Sequence, residues 1–309
     1  MKICCLLPSA TEIAYAVGLG NEVAGVTYGC DYPLDARRKP VVVYSKLPPK
    51  LAASEIDRRV AEFVARGESL YRIDTEALQQ IQPDLILTQE LCHVCAASPD
   101  DIMSAIEGLP KAPKVVTLSP HTLDDVWNNI RDVGRVTGHD DEANALTGEL
   151  EERVREVNRL VRGRPRPRVV CLEWLDPPYI AGHWVPEMVE VAGGLDALGR
   201  IAQPSFRTDW KTVLAAQPDF IVMMPCGYDL QETVDEYAKL NKPADWASLP
   251  GVRNDHIFAV DATSHFSRPG PRLAEGVEAL ASIFHPEVIP GNWFDGRASR
   301  CPVGCGSAT

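Results

Sequence analysis

The chain has 309 residues, 45% of them apolar and 24% charged, with a net charge of −12. That length suits two globular lobes of about 120 residues each better than one core. No run of Lys/Arg interrupts the acidity, and phosphate recognition needs a cationic face, so nucleic acid is excluded as a partner.

Met1-Lys2 leads straight into Ile3-Cys4-Cys5-Leu6-Leu7-Pro8. This apolar run is shorter than the ~7–15 residues of a secretory signal core. It reads as a first buried strand, and a cytoplasmic chain is expected unless the true start lies upstream. No apolar run approaches the ~20 residues of a membrane span. The nine cysteines are odd in number, which argues against a disulfide framework. Cys4, Cys5 and Cys171 sit inside apolar runs and are expected in the core.

In chain order, strand and helix alternate. After the strand Ile3–Leu7, Ser9 stands three residues before Glu12, the spacing of a capping box, and the helix it opens is expected to end at Gly18. Val23–Val26 and Val41–Val43 read as strands. Ser54–Ala65 has helical spacing through Ile56, Val60 and Val64. Asp74 caps a helix to Ile81, and Pro83-Asp84 breaks it before the strand Leu85–Leu87. A helix over Asp100–Ile106 and a strand at Val115-Val116 follow. From Leu123 to Val161 the pattern is helical throughout, with a turn at Gly138, and predicts a rigid spine. After Arg164-Pro165-Arg166-Pro167 the alternation restarts. Strands are predicted at Val169–Leu172, Tyr179–Ala181, Phe220–Met223 and Ile257–Val260. Helices are predicted at Pro186–Ala192, Trp210–Ala215 behind an Asp209 cap, Leu230–Leu240 and Arg272–Phe284.

Gln82-Pro83-Asp84-Leu85-Ile86-Leu87 recurs as Gln217-Pro218-Asp219-Phe220-Ile221-Val222. This echo predicts an α/β protein of two Rossmann-like lobes joined by a long helical spine, with the ligand cleft between them. The expected division is an N-terminal lobe over 1–120, a helical linker over 121–163, a C-terminal lobe over 164–286 and a peripheral, Cys-containing tail over 287–309.

Ligands of open α/β sheets bind beyond the carboxyl ends of the strands. The segments expected there carry Ser9; Tyr28 and Cys30; Cys92, His93 and Cys95; Glu173 and Trp174; His183 and Trp184; Cys226 and Tyr228; and Arg268. A single His or aromatic in a loop is ordinarily packing, but seven successive loops on the expected edge point to a binding cleft. Cys92-His93-Val94-Cys95 has zinc-type CxxC spacing and needs further ligands, which Cys30 and Cys226 offer. No nucleophile elbow or phosphate loop occurs, so no enzyme is expected.

Pro8-Ser9-Ala10-Thr11-Glu12, the Gln-Pro-Asp strand, the long helical stretch and Val191-Ala192-Gly193-Gly194 resemble the class III periplasmic substrate-binding proteins over about residues 2 to 286. Cys30-Asp31-Tyr32-Pro33, Cys92-His93-Val94-Cys95, Glu173-Trp174-Leu175-Asp176-Pro177, Gly182-His183-Trp184-Val185-Pro186-Glu187 and Arg268-Pro269-Gly270-Pro271-Arg272 resemble its cobalamin-binding branch. The resemblance implies a corrinoid or related metallated tetrapyrrole as small-molecule ligand, and an ABC permease docking at Glu76 and Glu190. Tyr28, Trp174, Trp184 and Tyr228 offer flat apolar surface to such a ring, and His183 or a cysteine offers a cobalt ligand. A second reading stays open: a zinc or iron–sulfur protein, or a redox enzyme, using Cys30, Cys92, Cys95 and Cys226.

Overall fold

The structure, a computed structural model, describes residues 1–49, 51–90, 98–289 and 296–301. It divides into two compact units. Unit 1 comprises Met1–Pro120 with Asp124–Gly148, and unit 2 comprises His121–Leu123 with Glu149 onward.

Unit 1 is built on β1 (Ile3–Cys5), α1 (Pro8–Ala16), β2 (Val23–Thr27), β3 (Val41–Ser45), α2 (Ala53–Ala65), β4 (Tyr71–Ile73), α3 (Thr75–Ile81), β5 (Leu85–Thr88), α4 (Pro99–Ile106) and β6 (Lys114–Thr117). Its sheet has the order β4-β3-β2-β1-β5-β6. All pairings are parallel except that of β3 with β4. The central strand β1 is apolar and fully buried, as a parallel strand covered on both faces must be. The helix α5 (Leu123–Thr137) follows, then a turn at Gly138 with φ +76° and the 22-residue α6 (Asp140–Val161). The unit boundary falls inside α6, at Gly148.

Unit 2 contains β7 (Arg168–Leu175), β8 (Pro178–Ile180), α7 (Val185–Val191), β9 (Leu195–Asp196), β10 (Phe206–Arg207), α8 (Trp210–Ala215), β11 (Phe220–Met223), α9 (Leu230–Lys239), α10 (Pro250–Arg253), β12 (Ile257–Val260), α11 (Ala262–His265), α12 (Leu273–Phe284) and β13 (Ala298–Arg300). The order is β10-β8-β7-β11-β12-β13, with β9 also on β7. The β7-β11-β12 centre is parallel, and β8, β10 and β13 join antiparallel.

The repeated Gln-Pro-Asp performs the same task in each unit. Gln82 and Gln217 take left-handed φ values of 52° and 47° after their helices. Asp84 then accepts the Lys2 backbone N–H at 3.0 Å, and Asp219 accepts that of Arg168 at 2.8 Å. The carboxylate therefore pins the start of the neighbouring parallel strand, at the residue just before β1 in unit 1 and at the first residue of β7 in unit 2.

Several expectations change. Ser9 is not a helix cap: α1 starts at Pro8 behind extended Leu7 without a side-chain cap bond, and Ser9 and Glu12 are buried inside it. Proline at the first helical position has its φ preset for the helix and lacks only an N–H that would have no helical partner there, which moves the start forward. The strand after the Pro/Arg linker extends to Leu175, so Glu173 and Trp174 lie within β7 rather than after it. The stretch read as a peripheral tail carries β13, which pairs with β12, and Cys301 is packed in the core of unit 2. No described helix is long and apolar enough to cross a membrane.

Candidate functional site

In unit 2 the carboxyl ends of β7, β11 and β12 are tied together by backbone bonds. Cys226 N donates to Glu173 O at 3.1 Å, and Thr263 N donates to Tyr228 O at 3.1 Å. The rings of Trp174 and Tyr228 pack edge-to-face with centroids 5.4 Å apart. Ser205 Oγ donates to Glu173 Oε1 at 3.3 Å. Arg268 is half-buried in the segment after α11.

His183 follows β8 in a left-handed conformation, φ 54°, and faces Ala202 at φ 60°. The two are locked by His183 N to Gln203 O at 2.6 Å and Ala202 N to His183 O at 3.0 Å. Gly182 is required here because its Cα lies against the backbone of 203–205. The imidazole of His183 lies 5.8 Å, centroid to centroid, from that of His121. Glu187 of α7 holds the adjoining segment in place by accepting Leu123 N–H at 2.8 Å. His121 was not among the expected site residues, although it is the first histidine after β6. The same inspection of strand ends reaches it once β6 is included. Trp184 is largely structural: it is 5% exposed and its Nε1 donates to Phe266 O at 2.8 Å.

Four buried polar atoms around these strand ends have no hydrogen-bond partner among the described residues: Trp174 Nε1, His183 Nδ1, Thr263 Oγ1 and His265 Nδ1. An unmade bond at a buried donor costs about 1–3 kcal/mol, so such groups concentrate where something else is to be bound.

Burial, helped by His121, lowers the pKa of His183 below the ordinary imidazole value. Burial also lowers that of His265, against the opposing pull of Glu275 and Asp261 and with Arg272 and Arg297 assisting. Burial and then Glu236 and Glu232 push Tyr228 up to about 12. For both histidines the unfolded chain binds a proton more readily than the folded one. Their contribution to pH dependence is therefore nil well above ~6.5 and becomes destabilising as pH falls through that value toward the folded pKa. Thermal melts between pH 8 and pH 5 should show a loss that His265→Gln reduces. An identical pH profile for wild type and variant would refute this account of His265.

In unit 1, Tyr28 at the end of β2 is 55% exposed. Cys30 is buried, with its sulfur 3.1 Å from Thr11 Oγ1 and 3.3 Å from Thr27 N and Oγ1. A concavity of about 300 Å³ beside it is lined by Tyr28, Cys30, Asp31 and Arg37 among others. Glu76 is exposed in the first turn of α3, and Glu190, in unit 2, is exposed on α7. Cys226 is exposed. Cys92 and Cys95 lie outside the described residues. Among the described residues no group of three or more His, Cys, Asp and Glu side chains is placed to hold a metal ion.

The sequence matches the profile of the family described as periplasmic binding protein over residues 3–263. It is 26% identical over 298 residues to an uncharacterised ABC transporter substrate-binding lipoprotein of Bacillus subtilis, covering 93% of this chain and 81% of that protein. It is 24% identical over 287 residues to a vitamin B12-binding protein of Vibrio cholerae, covering 91% of this chain and 88% of that one. The fold is similar to that of a periplasmic heme-binding protein from Pseudomonas aeruginosa, with TM-score 0.71, 17% identity and 93% of each chain covered. These relatives are binding proteins rather than enzymes. With the match spanning β1 to α11, the chain belongs to the periplasmic binding protein family.

Proposed function

We propose that this protein binds a metallated tetrapyrrole, a corrinoid above all, on the loops at the carboxyl ends of its strands. The observation that carries the reading is the Trp174–Tyr228 ring pair, flanked by buried polar atoms that lack partners. Flat aromatic surface with a few fixed polar groups suits a wide, partly apolar ring that bears polar arms. His183, kept neutral by burial, is in the protonation state in which imidazole ligates a metal. Ser9, Tyr28, Cys30, Glu173 and Arg268 complete the proposed contact set. The matched B12-binding relative supports the corrinoid, and the similarity to a heme-binding fold makes haem the alternative ring. We place permease docking at Glu76 and Glu190, both exposed.

Titration of the purified full chain with cyanocobalamin, dicyanocobinamide and haemin, followed in the visible spectrum, tests the reading. A saturable one-to-one change with one of them is the expected result. Absence of saturable change with all three overturns it.

A further inference from the structure

Two of the residues that carry unpartnered atoms contact one residue. Tyr228 packs its ring against Trp174 and accepts the Thr263 backbone N–H at its carbonyl oxygen. Trp174 and Thr263 therefore both adjoin the turn Pro225–Tyr228, whose residues Cys226 and Gly227 are exposed.

Indole nitrogen is a donor only, and a threonine hydroxyl has one proton to give. Neither group has an acceptor among the described residues, although each is fixed by its backbone. Trp174 lies in β7, paired with Tyr179 of β8. Thr263 lies in the first turn of α11, which Asp261 caps by accepting Ser264 N–H at 2.9 Å. A donor held this firmly without a protein acceptor is met by ordered water or by an acceptor that displaces that water on binding. A cationic or purely apolar arm would leave both donors unmet, so the missing partner is an oxygen acceptor.

We propose that Trp174 Nε1 and Thr263 Oγ1 form a subsite for carbonyl oxygens on the rim of the bound ring, amide oxygens in a corrinoid or carboxylate oxygens in a haem. This rests on the tetrapyrrole reading above and adds to it which part of the ligand these residues recognise.

The test uses the full chain with Thr263→Val, which keeps the side chain's shape while removing its hydroxyl, and Trp174→Phe, which removes the indole N–H together with part of the ring surface. Dicyanocobinamide supplies amide arms, haemin supplies carboxylate arms, and iron octaethylporphyrin supplies a metallated ring without carbonyl arms. Each variant should weaken binding of dicyanocobinamide or haemin, whichever the wild type binds, by about tenfold. Thr263→Val should change neither the binding of iron octaethylporphyrin nor the melting temperature of the ligand-free protein, and Trp174→Phe should weaken the armed rings more than it weakens iron octaethylporphyrin. Unchanged affinity for the armed rings overturns the subsite while leaving the functional reading intact. A fall in ligand-free stability with unchanged affinity also overturns it, because the donors would then be satisfied within the protein. If the wild type binds none of the rings, the functional reading fails and the subsite fails with it.

Discussion

Replacing Gly182 with Ala should unfold unit 2 at a markedly lower temperature and abolish ligand binding. A Cβ at this position would overlap the Ser205 backbone nitrogen and the Gln203 carbonyl oxygen, and would lie 2.5 Å from the Pro204 carbonyl carbon. All three obstacles are main chain, so no side-chain rotation relieves them. The 203–205 segment must move, and that breaks the bonds joining His183 to Gln203 and Ala202 and draws Ser205 away from Glu173. Overpacking of this kind costs about 3 kcal/mol, at the upper end of its usual range. For a unit of this size that is a fall in melting temperature of about 10 °C. Gly148→Ala is the matched control. It lies inside α6 with open space around the added Cβ, and alanine there should raise stability by about 0.5–1 kcal/mol. Calorimetric melts of both variants decide the matter. A Gly182→Ala protein that melts with the wild type would show that the loop yields without cost.

The second large effect concerns the pairing of α6 with α12 inside unit 2. Arg153 Nε and Nη2 donate to the two carboxylate oxygens of Glu278 at 2.7 and 2.8 Å, and the Glu278 side chain is only 10% exposed. Glu278 in turn raises the pKa of the Arg153 guanidinium. Arg153→Met would leave a buried carboxylate without its counter-charge. That mode of breaking a pair is far more costly than the pair is stabilising. With part of Arg153 open to water, the expected loss is about 2–3 kcal/mol at pH 7 in denaturant titration. The double replacement Arg153→Met, Glu278→Leu should recover most of the loss, because apolar packing substitutes well for a buried ion pair. A single variant as stable as the wild type at neutral pH would contradict this.

The features legible in the sequence are those written in local chemistry. Asp74 and Asp209 cap their helices through Ala77 N and Thr212 N, because a short acceptor before a helical run has one thing to do there. The two Gln-Pro-Asp segments announce paired parallel strands for the same reason. What depended on distant residues was less visible. Pro8 overrode the capping pattern at Ser9, and β13 is too short to carry a period. Glu173 and Trp174 were read as loop because the apolar run of β7 stops at Leu172, while the strand continues through pairing with β8. Trp184 looked like ligand surface, but its indole N–H is given to Phe266, 82 residues away. Of the site, residue types at strand ends were readable. Which polar atoms lack partners is a property of three-dimensional packing, and no spacing in the chain encodes it.

The short strand β13 also bears on how this protein avoids its own copies. Without it, β12 would be the last strand of its sheet, a fully buried run of Ile257, Phe258, Ala259 and Val260 with a row of unpaired amide and carbonyl groups. Such an edge is a template for pairing with another chain. β13 covers it antiparallel over Phe258 to Val260 and is itself only three residues long. Its terminal Arg300 lies over the Phe258 ring at 5.5 Å and 3.7 Å from Asp255. The sheet thus ends in a strand that is brief and charged, so it offers little for further strands to extend. The last described residues of the chain act as a guard against aggregation.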